Sequence, residues 1–194
     1  LVDGVGGAVR DYLASQTSDA RTWPGDDDMI ATLPGIKLYG NVRQSRLRVV
    51  LEAPEMNMRT QRHEAVSVPA KLSVEHVMPQ AWRSHWDPEP KLSPEAAADR
   101  DKLVNTLGNL TLVTSDLNGT LSHRPWTDAA TAQLKTTGEN KGLGKRSLLN
   151  KYSVLLLSRE IVDHHAEAWT EEGSRKRSVQ LAKVLCDVWP RPGS

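Results

Sequence analysis

The chain has 194 residues, 38% of them apolar and 25% charged, with a formal net charge of +1. That length supports a real hydrophobic core, no apolar run is long enough to span a bilayer, and the balance predicts a soluble globular protein. One cysteine, Cys186, excludes an internal disulfide framework and any zinc site built from several thiolates, which suits a reducing cytoplasm.

The start, LVDGVGGAVRDYLASQ, has no initiator Met, basic n-region or long apolar h-region. It reads as a fragment of a longer protein, not as a signal peptide. Helical spacing through Val9 and Leu13 predicts a helix from about Val5 to Gln16. WPGDDDMIATL reads as a turn into an acid-capped helix, with three Asp at the positive end of the dipole. In KLYGNVRQSRLRVVLEAPEM, the apolar residues Leu38, Val42, Leu47, Val50 and Leu51 form a helical stripe that Pro54 is expected to end.

KLSVEHVMP switches to strand-like spacing. A Pro- and Trp-rich loop leads to Ser93-Pro94-Glu95, a capped helix start, and that helix is expected to run to about Thr106 and stop at Gly108. NLTLVTS reads as a second strand, and DLNGTLS as a short helix capped by Ser115-Asp116. After a Gly- and Lys-rich loop come two amphipathic helices, roughly Ser147 to His164 and Ser174 to Trp189. The expected fold is mainly α with a small β-hairpin whose strands are joined by a helical insertion. Within one compact domain, residues 1–70 form an N-terminal helical part, 71–126 the hairpin core and 127–194 a C-terminal helical part.

Charge is uneven. From Lys37 to Arg62 six basic residues face two acids, and from Asn118 to Lys151 six again face two. Either segment can be an ordinary solvated helix face or a surface for a polyanion. Arg43, Arg46, Arg124 and Lys145 are the candidate phosphate contacts.

VEHVMPQ is the informative stretch. Neighbours on a strand point to opposite faces, so one of Glu75 and His76 must leave the core unless both line a cleft. Asn109 opens the second strand and Asn118 sits in the helix after it. Strand, excursion, strand and short helix carrying Glu-His, Asn and Asn is the ββα-metal (HNH) nuclease arrangement, here embedded in a helical lobe. Its chemistry accounts for each residue type. Phosphodiester hydrolysis needs water deprotonated on one side of phosphorus and charge stabilised on the other. His76 can accept the proton as general base. Glu75 and Asn118 offer oxygen ligands suited to Mg²⁺, with Mn²⁺ as an alternative. Asn109, grouped with His76 as catalytic, would tie the loop to the hairpin and hold His76 in orientation.

EHVMPQ followed by NLTLVTSDLN resembles the HNH core of CRISPR effector nucleases, with Asn109 and Asn118 nine residues apart. Over the whole chain the similarity is to the C-terminal HNH domain of GmrSD-type and SspE-type anti-phage restriction proteins. Trp23 to Asp26, Leu38 to Leu47, Glu75 to Trp82, Leu107 to Leu112, Asn118 to Trp126, Lys145 to Leu157 and Arg177 to Pro190 carry it. The resemblance implies an endonuclease that nicks double-stranded DNA, leaving 5′-phosphate and 3′-hydroxyl ends. It also implies the effector role in a bacterial cytoplasmic system that senses phosphorothioate or modified cytosine. A ParB-like nucleotide-hydrolysing domain would be the partner in the parent protein; self-association is an open expectation and membrane binding is not expected. A decayed DNA-binding or dimerisation module and an RNA nuclease are the alternatives.

Ser122 stands one turn after Asn118, where several such nucleases supply a further histidine. His123 is one residue step off that position on a continuing helix. His63, His85, His123, His164 and His165 read as loop or surface residues, Trp82, Trp86 and Trp126 as packing more than base-stacking residues, and Arg177 as a structural ion pair or a phosphate contact.

Overall fold

The computed structural model describes residues 2–18, 22–59, 68–87 and 90–191. Arg62 and His63 lie outside the described residues. In chain order come α1 (Val2–Ala14), α2 (Asp26–Thr32), α3 (Gln44–Met58), β1 (Leu72–His76), α4 (Pro94–Leu103) and β2 (Leu110–Thr114). They are followed by α5 (Ser115–Leu121), α6 (Asp128–Thr131), α7 (Lys145–Tyr152), α8 (Leu156–His164) and α9 (Glu171–Val188). The fold is mainly α around one small sheet, as the sequence predicts, and no described helix is long and apolar enough to cross a membrane.

The two strands pair antiparallel, with Glu75 opposite Thr111 and His76 opposite Leu110. Alternation sends their side chains into two separate clusters. Leu72, Val74, Leu110 and Leu112 pack with Leu47 and Leu51 of α3 and Leu181 and Leu185 of α9. On the other face Val113 joins Leu117 and Leu121 of α5, Leu148 and Leu149 of α7, and Ile161 of α8. The hairpin is therefore the middle layer of the molecule, which is why LTLVT is buried along almost its whole length.

The LGN run before β2 is where α9 comes closest. The Gly108 N–H donates to Ser178 Oγ at 2.7 Å, and a Cβ on Gly108 would collide with the Ser174 carbonyl oxygen. Arg177, buried in α9, donates to the carbonyls of Gly108 and Leu110 and pairs with Glu160 at 3.0 Å. It is a structural ion pair that fixes the start of β2.

Several boundaries differ from expectation. Pro54 lies inside α3, not at its end, because the next residue is anchored: Glu55 is wholly buried and pairs with Arg59 at 2.7 Å. The same carboxylate accepts the N–H groups of Leu156 and Leu157, at 3.2 and 2.9 Å. It caps a new helix start, so the predicted helix from Ser147 to His164 is split into α7 and α8 around the extended Ser153 and Leu155. Leu38 and Val42 precede α3 in a turn whose Leu38 and Tyr39 N–H groups both bond to the Asn105 carbonyl, at 2.9 and 3.1 Å. The cap of α5 is Thr114, one residue earlier than expected.

Candidate active site at the end of the first strand

Glu75 and His76 point to opposite faces of β1, yet both are buried and both line one small cleft at the strand's end, with Pro79, Gln80, Ala81, Ser122 and His123. Each is gripped from its own side. On the α7 face, Lys145 Nζ donates to Glu75 Oε1 at 2.6 Å and to the His76 carbonyl at 2.7 Å. Lys145 is 1% exposed and held there by the first turn of α7. Gly144 before it must be glycine, since a Cβ would sit 2.5 Å from the Trp126 carbonyl oxygen. Burial raises the Glu75 carboxyl above the ordinary range, against the pull of Lys145, and pushes the Lys145 ammonium down.

On the opposite face the His76 ring meets Tyr39 edge-on, with centroids 4.4 Å apart. Its Nε2 lies 3.3 Å from Asn105 Oδ1. That oxygen also accepts from Gln80 Nε2 at 3.0 Å, while Asn105 Nδ2 donates to the Asp101 carbonyl. An oxygen in this position accepts only, so the neutral ring carries its proton on Nε2 and presents Nδ1 as the base. This gives the Pro-Gln after the strand a purpose, since Gln80 orients Asn105, and Asn105 orients His76.

Burial lowers the His76 pKa to about 4. The unfolded chain takes up this proton near 6.5, so the ring's contribution to stability is complete above pH 6.5 and is lost as pH falls towards 4. The difference amounts to about 3 kcal/mol. Urea unfolding at pH 7 and pH 4.5 is expected to show a larger acid loss for the wild type than for His76→Gln; equal losses would contradict a buried neutral ring.

Asn109 is 1% exposed and fully engaged. Its Oδ1 accepts from Met78 N and Trp169 Nε1, and its Nδ2 donates to the carbonyls of Met78 and Val104. It ties the loop to the hairpin as expected, but orienting His76 falls to Asn105, and no polar atom of Asn109 is left for substrate. Asn118 Nδ2 donates to the Val74 carbonyl at 3.3 Å, and the residue lines a neighbouring cleft with Tyr39, Gln44, Ser45 and Arg48. The structure brings Glu75 and His76 into one cleft and puts Asn118 in the adjoining one.

The basic candidates divide. Arg43 and Arg46 are exposed at the start of α3. Lys145, expected at a phosphate, is instead buried on Glu75. Arg124 is half-buried, and its Nη1 donates to the Asn140 and Leu143 carbonyls at 2.8 Å each, bracing the loop before α7. The tryptophans pack: Trp82, Trp86 and Trp126 donate their indole N–H to Asp101, the Arg124 carbonyl and the His165 carbonyl.

Sequence reasoning misses Tyr39, Asn105 and the burial of Lys145. The signal for Asn105 is slight: an amide four residues before Asn109, in the turn just after α4. For Lys145 it is the Gly before it, which reads in sequence as part of a flexible loop.

Among the described residues no group of three or more His, Cys, Asp or Glu could hold a metal ion. A carboxylate and an amide oxygen are hard donors, which fits Mg²⁺ with a shell completed by water and phosphate, and does not fit a His- and Cys-ligated zinc. No curated protein gives a match to the chain. One family, described as GmrSD restriction endonucleases, C-terminal domain, matches residues 23–184. Since that match spans most of the sequence, the chain belongs to the C-terminal domain family of the GmrSD restriction endonucleases.

Proposed function

We propose that the cleft at the end of β1 hydrolyses a DNA phosphodiester bond by HNH-type (ββα-metal) chemistry. The observation that carries this is a histidine kept neutral by burial, its Nε2 fixed by Asn105, beside a carboxylate in the same cleft. His76 Nδ1 takes the proton of the attacking water. Glu75 would hold a divalent cation, Mg²⁺ or Mn²⁺, which when bound supplies positive charge against the phosphate, and Asn118 would join it only by reaching over from the adjoining cleft. Lys145 opposes the burial that raises the Glu75 carboxyl, aims that side chain, and ties the His76 backbone to α7. Asn109 acts only by holding the loop. Arg43 and Arg46 receive the phosphates flanking the cut.

One such site cuts one strand, so the product is a nick with a 5′-phosphate and a 3′-hydroxyl. In the bacterial cytoplasm this makes the chain the cutting part of a restriction protein aimed at phage DNA. Recognition of the modification, phosphorothioate or altered cytosine, falls to a ParB-like nucleotide-hydrolysing partner domain. A double-strand break takes self-association or two visits.

Incubation with supercoiled plasmid tests the reading. With Mg²⁺ or Mn²⁺ the domain is expected to convert supercoiled DNA to open circles, and EDTA to stop it. Plasmid that shifts in a gel but is never cut would mean a binding module, and cleavage of RNA alone would mean an RNA nuclease.

A further inference from the structure

Ser122 and His123 line the cleft with Glu75 and His76, and neither serves as the base or as a cation ligand. The sequence places His123 off the productive face of a continuing helix, but the helix does not continue. α5 ends at Leu121, and Ser122 has φ +42°, alone among the described non-glycine residues in being positive. A serine held in this region is strained, and such strain is retained where the surroundings enforce it, often at functional sites. Its effect here is to turn the chain so that the next side chain enters the cleft.

Ser122 Oγ then lies 3.0 Å from His123 Nδ1, which leaves Nε2 as the free end of the ring. The ring stacks on His85, with centroids 6.0 Å apart. His123 also lines a second, wider cleft of about 680 Å³ with His85, Arg124 and the loop from Lys135 to Asn140. It therefore stands where the catalytic cleft opens into the larger groove. His76 is buried, whereas His123 is exposed to solvent.

We propose that His123 is a second catalytic histidine, the proton donor to the leaving 3′-oxygen; this rests on the nuclease reading above. Water attacks phosphorus as its proton passes to His76 Nδ1. The P–O3′ bond breaks with its electron pair on O3′, and the His123 Nε2 proton goes to that oxygen, giving the 3′-hydroxyl. Solvent reprotonates His123 and receives the proton from His76. The 680 Å³ groove carries the strand on the leaving-group side.

The test compares two DNA duplexes that differ at one mapped cut position, where sulfur replaces the bridging 3′-oxygen in the second. A thiolate leaves near neutral pH without a proton donor, whereas an alkoxide does not. His123→Ala and His123→Gln are expected to cut the oxygen duplex about 10²-fold more slowly than wild type, and the sulfur duplex within about threefold of it. Both variants should unfold at the wild-type temperature, since the side chain is exposed. Wild-type rates on the oxygen duplex, or an equal defect on both duplexes, would overturn the His123 assignment while leaving the His76 site standing. Failure of the wild type to cut either duplex would remove the nuclease reading and this one with it.

Discussion

Lys145→Met is expected to lower stability by about 3–5 kcal/mol, the range for breaking a buried ion pair from one side. Methionine keeps the bulk of the chain that runs from α7 to β1, so the loss reports charge, not a cavity. Glu75 would be left buried opposite nothing, and the His76 carbonyl would lose its donor. Without Lys145 the Glu75 carboxyl rises further above its ordinary range, takes a proton and ceases to be a useful cation ligand. The double variant Glu75→Gln/Lys145→Met should recover much of the stability and none of the cutting. Urea midpoints of the three proteins check this. If Lys145→Met unfolds like the wild type, the ammonium is a bystander and the ion pair does not hold the Glu75 side of the cleft.

Replacing His76 with alanine is expected to reduce strand cutting by about 10²–10⁴-fold, the usual worth of a positioned general base. The one other histidine lining the cleft, His123, is assigned to the leaving oxygen and not to the attacking water. Asn105, Gln80 and Asn109 are amides engaged with one another or with backbone, and the nearest carboxylate, Glu75, is tied to Lys145. The effect should reside in the chemical step. Arg43 and Arg46 lie apart from the cleft on the surface of α3, so binding of the duplex should change little. Asn105→Asp, by contrast, should keep the ring and its tautomer, since a carboxylate oxygen also accepts from Nε2, and raise the ring's pKa by placing a negative charge beside it, a milder defect than losing the base.

Much of the hairpin was legible in the sequence because its signals are local. Leu72 to His76 and Leu110 to Thr114 carry strand spacing, Ser93-Pro94 caps a helix, and the adjacent Glu75 and His76 mark the strand end where both line one cleft. What sequence could not show is set by distant partners. Pro54 reads as a helix end unless Glu55 is known to cap α8 across about a hundred positions. Lys145 reads as a solvent-facing cation until the turn at Gly144 is seen to deliver it under β1. His123 looks misaligned only while the helix is assumed to continue past Leu121. Periodicity reports which residues are apolar, but it says nothing about which helix lies over which strand, and here that stacking decides the roles of the charged side chains.

The most direct measurement is single-turnover cutting of supercoiled plasmid with Mg²⁺ by wild type and His76→Ala at equal folded concentration. Wild type should convert the plasmid to open circles while His76→Ala leaves it supercoiled over the same period. Equal cutting by the two proteins, both abolished by EDTA, would place the chemistry somewhere other than the end of β1.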